Sequence, residues 1–185
     1  MRKPIILIDF DGVFNILGTY DDALKLWNND VTRVTIPYDG HPTEKEFTVK
    51  VANPLIDFFV RLAASDLVEI IWLTTWVDNT AKFPEWLGLP EFPYLERPDV
   101  DSEWEWWKLK AAKAFVEEVG SETPILWIDD DHGYDSSAVH WLFTSQQQIH
   151  PLAPSSVEAL VPLEVDLITF FVEKHTGVEI AINRG

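Results

Sequence analysis

Apolar runs that stop on carboxylates or hydroxyls recur along this chain, and helical stripes alternate with them. Residues 5 to 10, "IILIDF", drive four apolar residues into Asp9 and read as a short strand, of the kind buried on both faces of a parallel sheet. "NPLIDFFVRLAAS" reads as a helix, with Asn53 as N-cap, Pro54 in the first turn and Leu55, Phe58, Phe59 and Leu62 on one stripe. "LVEIIWLTT" is a second strand that ends in the hydroxyls of Thr74 and Thr75. "EWEWWKLKAAKAFVEEVG" is a second helix, with Trp104, Trp107, Ala111, Phe115 and Val119 at helical spacing and Gly120 as its stop. After Pro124, "ILWIDDD" is a further buried strand running into Asp129, Asp130 and Asp131, and "PLEVDLITFFVEKHTG" is a late helix opened by Pro162 and closed near Gly177.

Two segments interrupt this order. In "VTRVTIPYDGHPTEKEFTVKV" alternating β-branched residues flank the turn-rich "YDGHP", which predicts a β-hairpin. The Trp- and Pro-rich stretch between Trp76 and Lys108 predicts a short helix and ordered loops. The expected architecture is α/β, a Rossmann-like three-layer αβα sandwich with a central, mainly parallel sheet. The expected organisation is one domain over residues 1–185, with a small hairpin insertion at about 16–52, a second insertion at about 76–107 and no large cap domain.

Composition narrows the chemistry. Cysteine is absent, which removes disulfides, thiolate catalysis and Cys-held zinc together, so any metal must be held by oxygen or imidazole. The 31 acidic against 14 basic residues give a formal charge of -17, a field that opposes long nucleic-acid tracts and otherwise serves solubility. No run of about 18 apolar residues is present and the start "MRKP" leads into a short strand, so the expectation is a cytoplasmic protein with no membrane partner.

In open α/β sheets the ligand crevice lies beyond the carboxyl ends of the strands, and the polar ends found here converge on that edge. Asp9 and Asp11, two residues apart, can face a common site, and Gly12 lets the backbone turn sharply and approach a ligand closely. Such carboxylates, joined by the acidic run Asp129, Asp130 and Asp131, cannot all stay ionised in a crevice without a cation, and an oxygen-only donor set suits Mg²⁺.

The order "DFDGV", then "LTT" after a strand, then a lysine at a helix start, then "WIDDD", resembles the four motifs of the haloacid dehalogenase (HAD) superfamily of Mg²⁺-dependent phosphohydrolases, over about residues 5 to 135. Within it, "IWLTTW", the Trp-rich segment and "LWIDDD" look most like the HAD domains associated with bacterial and phage RNA-repair proteins.

The resemblance implies roles residue by residue. Asp9 is the nucleophile that forms an aspartyl-phosphate, Asp11 the general acid and base, Thr74 a hydrogen-bond donor to the phosphoryl group and Lys108 its charge partner. The metal would be held by Asp9, Asp11 through its backbone carbonyl, and Asp130, with Asp129 in support. Gly12, Thr75 and Trp76 are candidate substrate contacts. Lys110 stands as the alternative to Lys108, Asp131 and Asp135 as outer or surface groups, and His132 either as a contact to the leaving group or as a surface loop residue.

Trp76, Trp86, Trp104, Trp106 and Trp107 could stack on bases, although Trp104 and Trp107 also fit a core stripe. The implied activity is a Mg²⁺-dependent phosphatase acting on phosphorylated nucleic-acid ends. The alternatives are a nucleotide or small-metabolite phosphatase and a non-enzymatic module that binds phosphate or Mg²⁺; no protein partner is indicated.

Overall fold

A computed structural model describes residues 2–18, 22–37, 46–100, 106–133, 135–145 and 148–180. Its centre is β1 (Ile5–Ile8), all four of whose side chains are buried. β1 pairs in parallel with β4 (Glu69–Trp72) on one side and with β5 (Ile125–Ile128) on the other. β5 pairs in parallel with β6 (Ile149–Leu152), giving the order β4-β1-β5-β6. This is the parallel α/β sandwich expected from the sequence.

The period of two along each strand separates the core into two layers. Ile6, Ile8, Ile70, Trp72, Leu126 and Ile128 point to one face, covered by α2 (Asn53–Ala64) and α6 (Pro162–Thr176) through Phe58, Phe59, Leu62, Ile168 and Val172. Ile5, Leu7, Ile71, Ile125, Trp127 and Ile149 point to the other, covered by α4 (Trp107–Val119) and α5 (Ser136–Thr144) through Leu109, Ala112, Ala138 and Leu142. No helix among the described residues is long and apolar enough to cross a membrane.

The expected hairpin is β2 (Val31–Pro37) against β3 (Glu46–Ala52), with Val34 opposite Val49; its "YDGHP" turn lies outside the described residues. A single turn, α1 (Asp22–Lys25), precedes it. β3 runs into α2 without a linker, and Val49, Val51 and Ile36 are fully buried, so the hairpin is packed into the first core layer. The second insertion holds a 3₁₀ turn (Val77–Lys82) and α3 (Phe83–Leu87), after which Pro93 and Leu95 bond the outer edge of β4 at Trp72.

Several boundaries differ from expectation. β1 stops at Ile8, because the Phe10 carbonyl accepts the N–H groups of Phe14 and Asn15 and turns the chain out of the ladder. β4 is four residues long, entered through a positive-φ turn at Asp66. Asn53 is the first residue of α2 and Ala52 occupies the cap; the Asn53 side chain instead accepts from Thr32 and donates to Asp30, tying the helix start to the hairpin. α4 begins at Trp107, and Trp104 lies outside the described residues. Neither β6 nor α5 is among the elements expected from the sequence.

Candidate active site

Three parallel strands deliver three polar side chains just beyond their carboxyl ends: Asp9 after β1, Thr74 after β4 and Asp129 after β5. The ladder holds their backbones, with Asp9 N–H on the Ile128 carbonyl, Leu73 N–H on that of Ile8 and Asp129 N–H on that of Leu152. Asp9, Thr74 and Asp129 are buried. Lys108, in the first turn of α4, reaches this floor: its Nζ donates to Asp9 Oδ2 at 2.6 Å and to Asp129 Oδ2 at 2.9 Å.

The charges are strongly coupled. Burial acts to lower the pKa of Lys108, but the Asp9 and Asp129 carboxylates beside it outweigh burial and push it above the ordinary lysine range. Burial pushes Asp129 upward, with the charge of Asp9 adding to the effect and Lys108 opposing it. Asp130 is raised to about 6, first by burial and then by Asp131 and Asp9.

Asp9 Oδ1 is buried and has no hydrogen-bond partner among the described residues. Asp9, Asp129 and Asp130 each offer a carboxylate oxygen, all within 4.8 Å of one another. An unpartnered buried oxygen in an all-oxygen cluster fits a hard divalent cation. Within that cluster Asp129 already has both oxygens engaged, Oδ2 by Lys108 and Oδ1 by the N–H of Asp131 at 3.0 Å.

Asp11 follows in the turn beyond β1, half-buried. Asn15 Nδ2 donates to its Oδ1 and Trp76 Nε1 to its Oδ2, each at 2.8 Å. Burial raises the Asp11 pKa while both hydrogen bonds pull it down, and the net direction is upward. Gly12, at φ +69°, passes under Asp130 so closely that a Cβ there would overlap the Asp130 carboxylate. Glycine is thus demanded twice, by the backbone and by the neighbour.

No family model matches the chain, and no curated protein does. Among solved structures, the HAD domain of the effector protein Lem4 from Legionella pneumophila aligns with a TM-score of 0.53 at 15% identity, covering 93% of this chain and 96% of that one. An inactive mutant of the same domain aligns at 14% identity with a TM-score of 0.53, covering 95% and 99%. The chain has a HAD-like fold.

On this HAD-like scaffold the residues singled out in the sequence fall into distinct settings. Asp9, Lys108, Asp129 and Asp130 come together, with Gly12 against Asp130, while the Asp11 side chain, two residues beyond Asp9, is held by Asn15 and Trp76. Thr74 is buried at the neighbouring strand end, Thr75 is exposed, and Lys110 is half-buried two residues beyond Lys108 on α4. Trp76 is 3% exposed, its ring packed on Phe10, Phe47 and Phe83. Asp131 is exposed and Asp135 caps α5, accepting the Ala138 N–H at 2.8 Å.

His132 is neither on the surface nor free to reach outward. It is buried edge-on against Trp127, at 4.4 Å between ring centroids, and burial lowers its pKa to about 3, with Lys108 adding. Sequence reasoning missed Asn15, which is 1% exposed. An asparagine inside the apolar run "VFNIL" was the available signal, since a buried amide needs partners.

Proposed function

We propose that this protein is a Mg²⁺-dependent phosphomonoesterase that works through an aspartyl-phosphate on Asp9. The observation that carries the reading is the asymmetric setting of Asp9: Lys108 holds Oδ2, while Oδ1 is buried and has no hydrogen-bond partner among the described residues. A carboxylate oriented through one oxygen, with the lone pairs of the other uncommitted among the described residues, suits attack on phosphorus.

In the first step an Asp9 oxygen bonds to phosphorus as the ester P–O bond breaks, and Asp11 gives its proton to the departing alkoxide. In the second, Asp11 takes a proton from water, the water oxygen bonds to phosphorus, and the P–O bond to Asp9 breaks to release inorganic phosphate. The upward displacement of the Asp11 pKa by burial favours its protonated form at the start of this cycle. Thr74 would donate to a phosphoryl oxygen. Lys108 holds and neutralises Asp9 and Asp129. Asp9, Asp130 and the Asp11 carbonyl would hold the Mg²⁺, with Asp129 in support. A bound Mg²⁺ offsets phosphoryl charge and lets these carboxylates remain ionised together.

For substrate we favour a small phosphorylated metabolite or nucleotide over a nucleic-acid end. The nucleic-acid reading rests on the RNA-repair resemblance and on tryptophans that could stack on bases; of the described ones Trp76 and Trp107 are buried and Trp86 and Trp106 half-buried, which leaves little ring surface for bases. The reading of a binding module without turnover is weakened by the presence of nucleophile, acid, hydroxyl and lysine together.

The test is hydrolysis of p-nitrophenyl phosphate by the purified protein with MgCl₂, after EDTA dialysis, and by Asp9→Asn. Turnover that needs Mg²⁺ and is abolished in Asp9→Asn is expected. Full activity in EDTA would remove the metal from the reaction, and an active Asp9→Asn protein, confirmed free of deamidation, would remove the nucleophile.

A further inference from the structure

The Asp11 carboxylate is held by two donors that come from the two insertions of the sheet. Asn15 leads into the hairpin: its Nδ2 donates to Asp11 Oδ1, its Oδ1 accepts the Lys50 N–H of β3 at 3.0 Å, and its carbonyl accepts the Gly12 N–H. Trp76 opens the second insertion and gives its indole N–H to Asp11 Oδ2. The residue after it, Val77, has φ +42°, a conformation that a β-branched side chain adopts only under strain. Such strain persists where the surroundings over-determine the backbone. Here the surroundings are the Thr80 hydroxyl on the Val77 carbonyl, the Asn79 N–H on that of Trp76, and the aromatic packing of the indole. The strained step thus sits beside the residue whose N–H meets Asp11.

We infer that Trp76, together with Asn15, is a positioning residue for proton transfer: the indole N–H fixes the Asp11 carboxyl so that its proton is aimed at the leaving oxygen of the phosphate ester. This inference rests on the phosphomonoesterase reading and deepens it. It replaces the role of Trp76 as a substrate contact with one exerted through Asp11, and it makes the enzyme one for esters of ordinary alcohols. An alkoxide leaving group needs the Asp11 proton as the P–O bond breaks, whereas a dinitrophenolate leaves without it. A second tryptophan in the same cluster supplies the control: Trp72 is fully buried against Phe10, Phe14 and Phe83, and its Nε1 has no partner among the described residues.

The experiment compares kcat/KM for an alkyl phosphate and for 2,4-dinitrophenyl phosphate, with Mg²⁺, in wild type, Trp76→Phe and Trp72→Phe. Trp76→Phe keeps an aromatic ring and removes the donor. It should lose about 30-fold on the alkyl ester, a part of the usual contribution of a general acid, and no more than about threefold on the dinitrophenyl ester. The alkyl-ester loss should fall in kcat with KM little changed, because the indole touches no substrate. Trp72→Phe should show no such difference between the two esters. Should Trp76→Phe fail to fold, Asn15→Ala removes the other donor and should give the same ester-selective loss. Equal losses on both esters, or the same profile in Trp72→Phe, would overturn the positioning role while leaving the phosphomonoesterase reading in place. A folded wild-type protein that hydrolyses neither ester would overturn that reading and this role with it.

Discussion

Lys108 Nζ lies 2.6 Å from Asp9 Oδ2, and both side chains are almost wholly buried. The same ammonium bonds Asp129, so one cation holds the ends of two neighbouring strands together. Removing one member of a buried ionic group leaves the others uncompensated, a loss larger than the net worth of the pair.

Lys108→Met, which keeps the stem and deletes the charge, should therefore lower metal-free stability by about 3–5 kcal/mol in urea unfolding. It should also reduce turnover of p-nitrophenyl phosphate by at least about 100-fold, because the charge beside Asp9, the proposed nucleophile, is lost. A variant within about 1 kcal/mol of wild type would show that the buried carboxylates do not depend on this lysine.

Gly12 and Gly88 separate backbone strain from crowding. Both have positive φ, but a Cβ at Gly12 would overlap the Asp130 carboxylate, whereas one at Gly88 would meet nothing within 4 Å. Gly88→Ala should lose only the left-handed penalty, about 1–2 kcal/mol, with activity retained. Gly12→Ala should lose that and also drop kcat/KM more than about tenfold by displacing Asp130. Equal activities in the two variants would mean that Asp130 need not stay where it lies over Gly12.

Divalent cation should stabilise the native protein. A ligand at about 100 times its dissociation constant adds about 2.7 kcal/mol, so MgCl₂ should raise the melting temperature, read by calorimetry against a matched NaCl control. Asp130→Asn should remove most of that rise, while Asp131→Asn, altering an exposed neighbour of equal charge, should preserve it. Equal loss in both would point to diffuse charge screening and away from a coordinated ion.

A second titrating locus lies outside the acidic cluster, where the rings of His150 of β6 and His175 of α6 sit 5.4 Å apart, centroid to centroid, against Phe171. Burial lowers the pKa of both, with His175 and Lys174 adding at His150 and Lys174 adding at His175. A histidine whose native pKa is depressed binds fewer protons folded than unfolded. Its stabilising share is complete above the unfolded value of about 6.5 and is lost as pH falls toward the native value. Wild type minus His150→Gln/His175→Gln should therefore show a stability difference that shrinks from pH 7.5 to pH 5 in urea titrations. A difference that grows over that range would reverse the sign assigned to the pair.

The sequence makes legible what local order encodes. Ile5 to Ile8 and Ile125 to Ile128 are uninterrupted apolar runs ending on aspartates, so both strands and the acids beyond them can be read directly. β6 is different: "IHPL" offers four residues with a proline, and Pro151 is tolerated because β6 is an edge strand of the sheet. His132 follows three aspartates and looks solvated, yet it turns inward onto Trp127. The Asp11–Trp76 bond joins positions far apart in sequence, and no periodicity encodes the direction in which an indole points. The Asn53 cap was misread by one residue because Asn53 and Pro54 both carry helix-start signals and the hairpin claims the Asn53 side chain.

The position of β1 at the middle of the sheet sets a timing problem for synthesis. Ile5 pairs with Glu69 on one side and with Ile125 on the other, so the earliest-made strand of this sheet is bordered by two strands made much later. At elongation speeds of about 5–20 residues per second the interval between β1 and β5 is on the order of 10 s. Throughout it "IILI" has an unpaired edge and greasy faces, the profile of a segment that misassociates. Nascent chains stalled between residues 75 and 120 should thus be the aggregation-prone population, and a chaperone that shields β1 would have its greatest effect in that window.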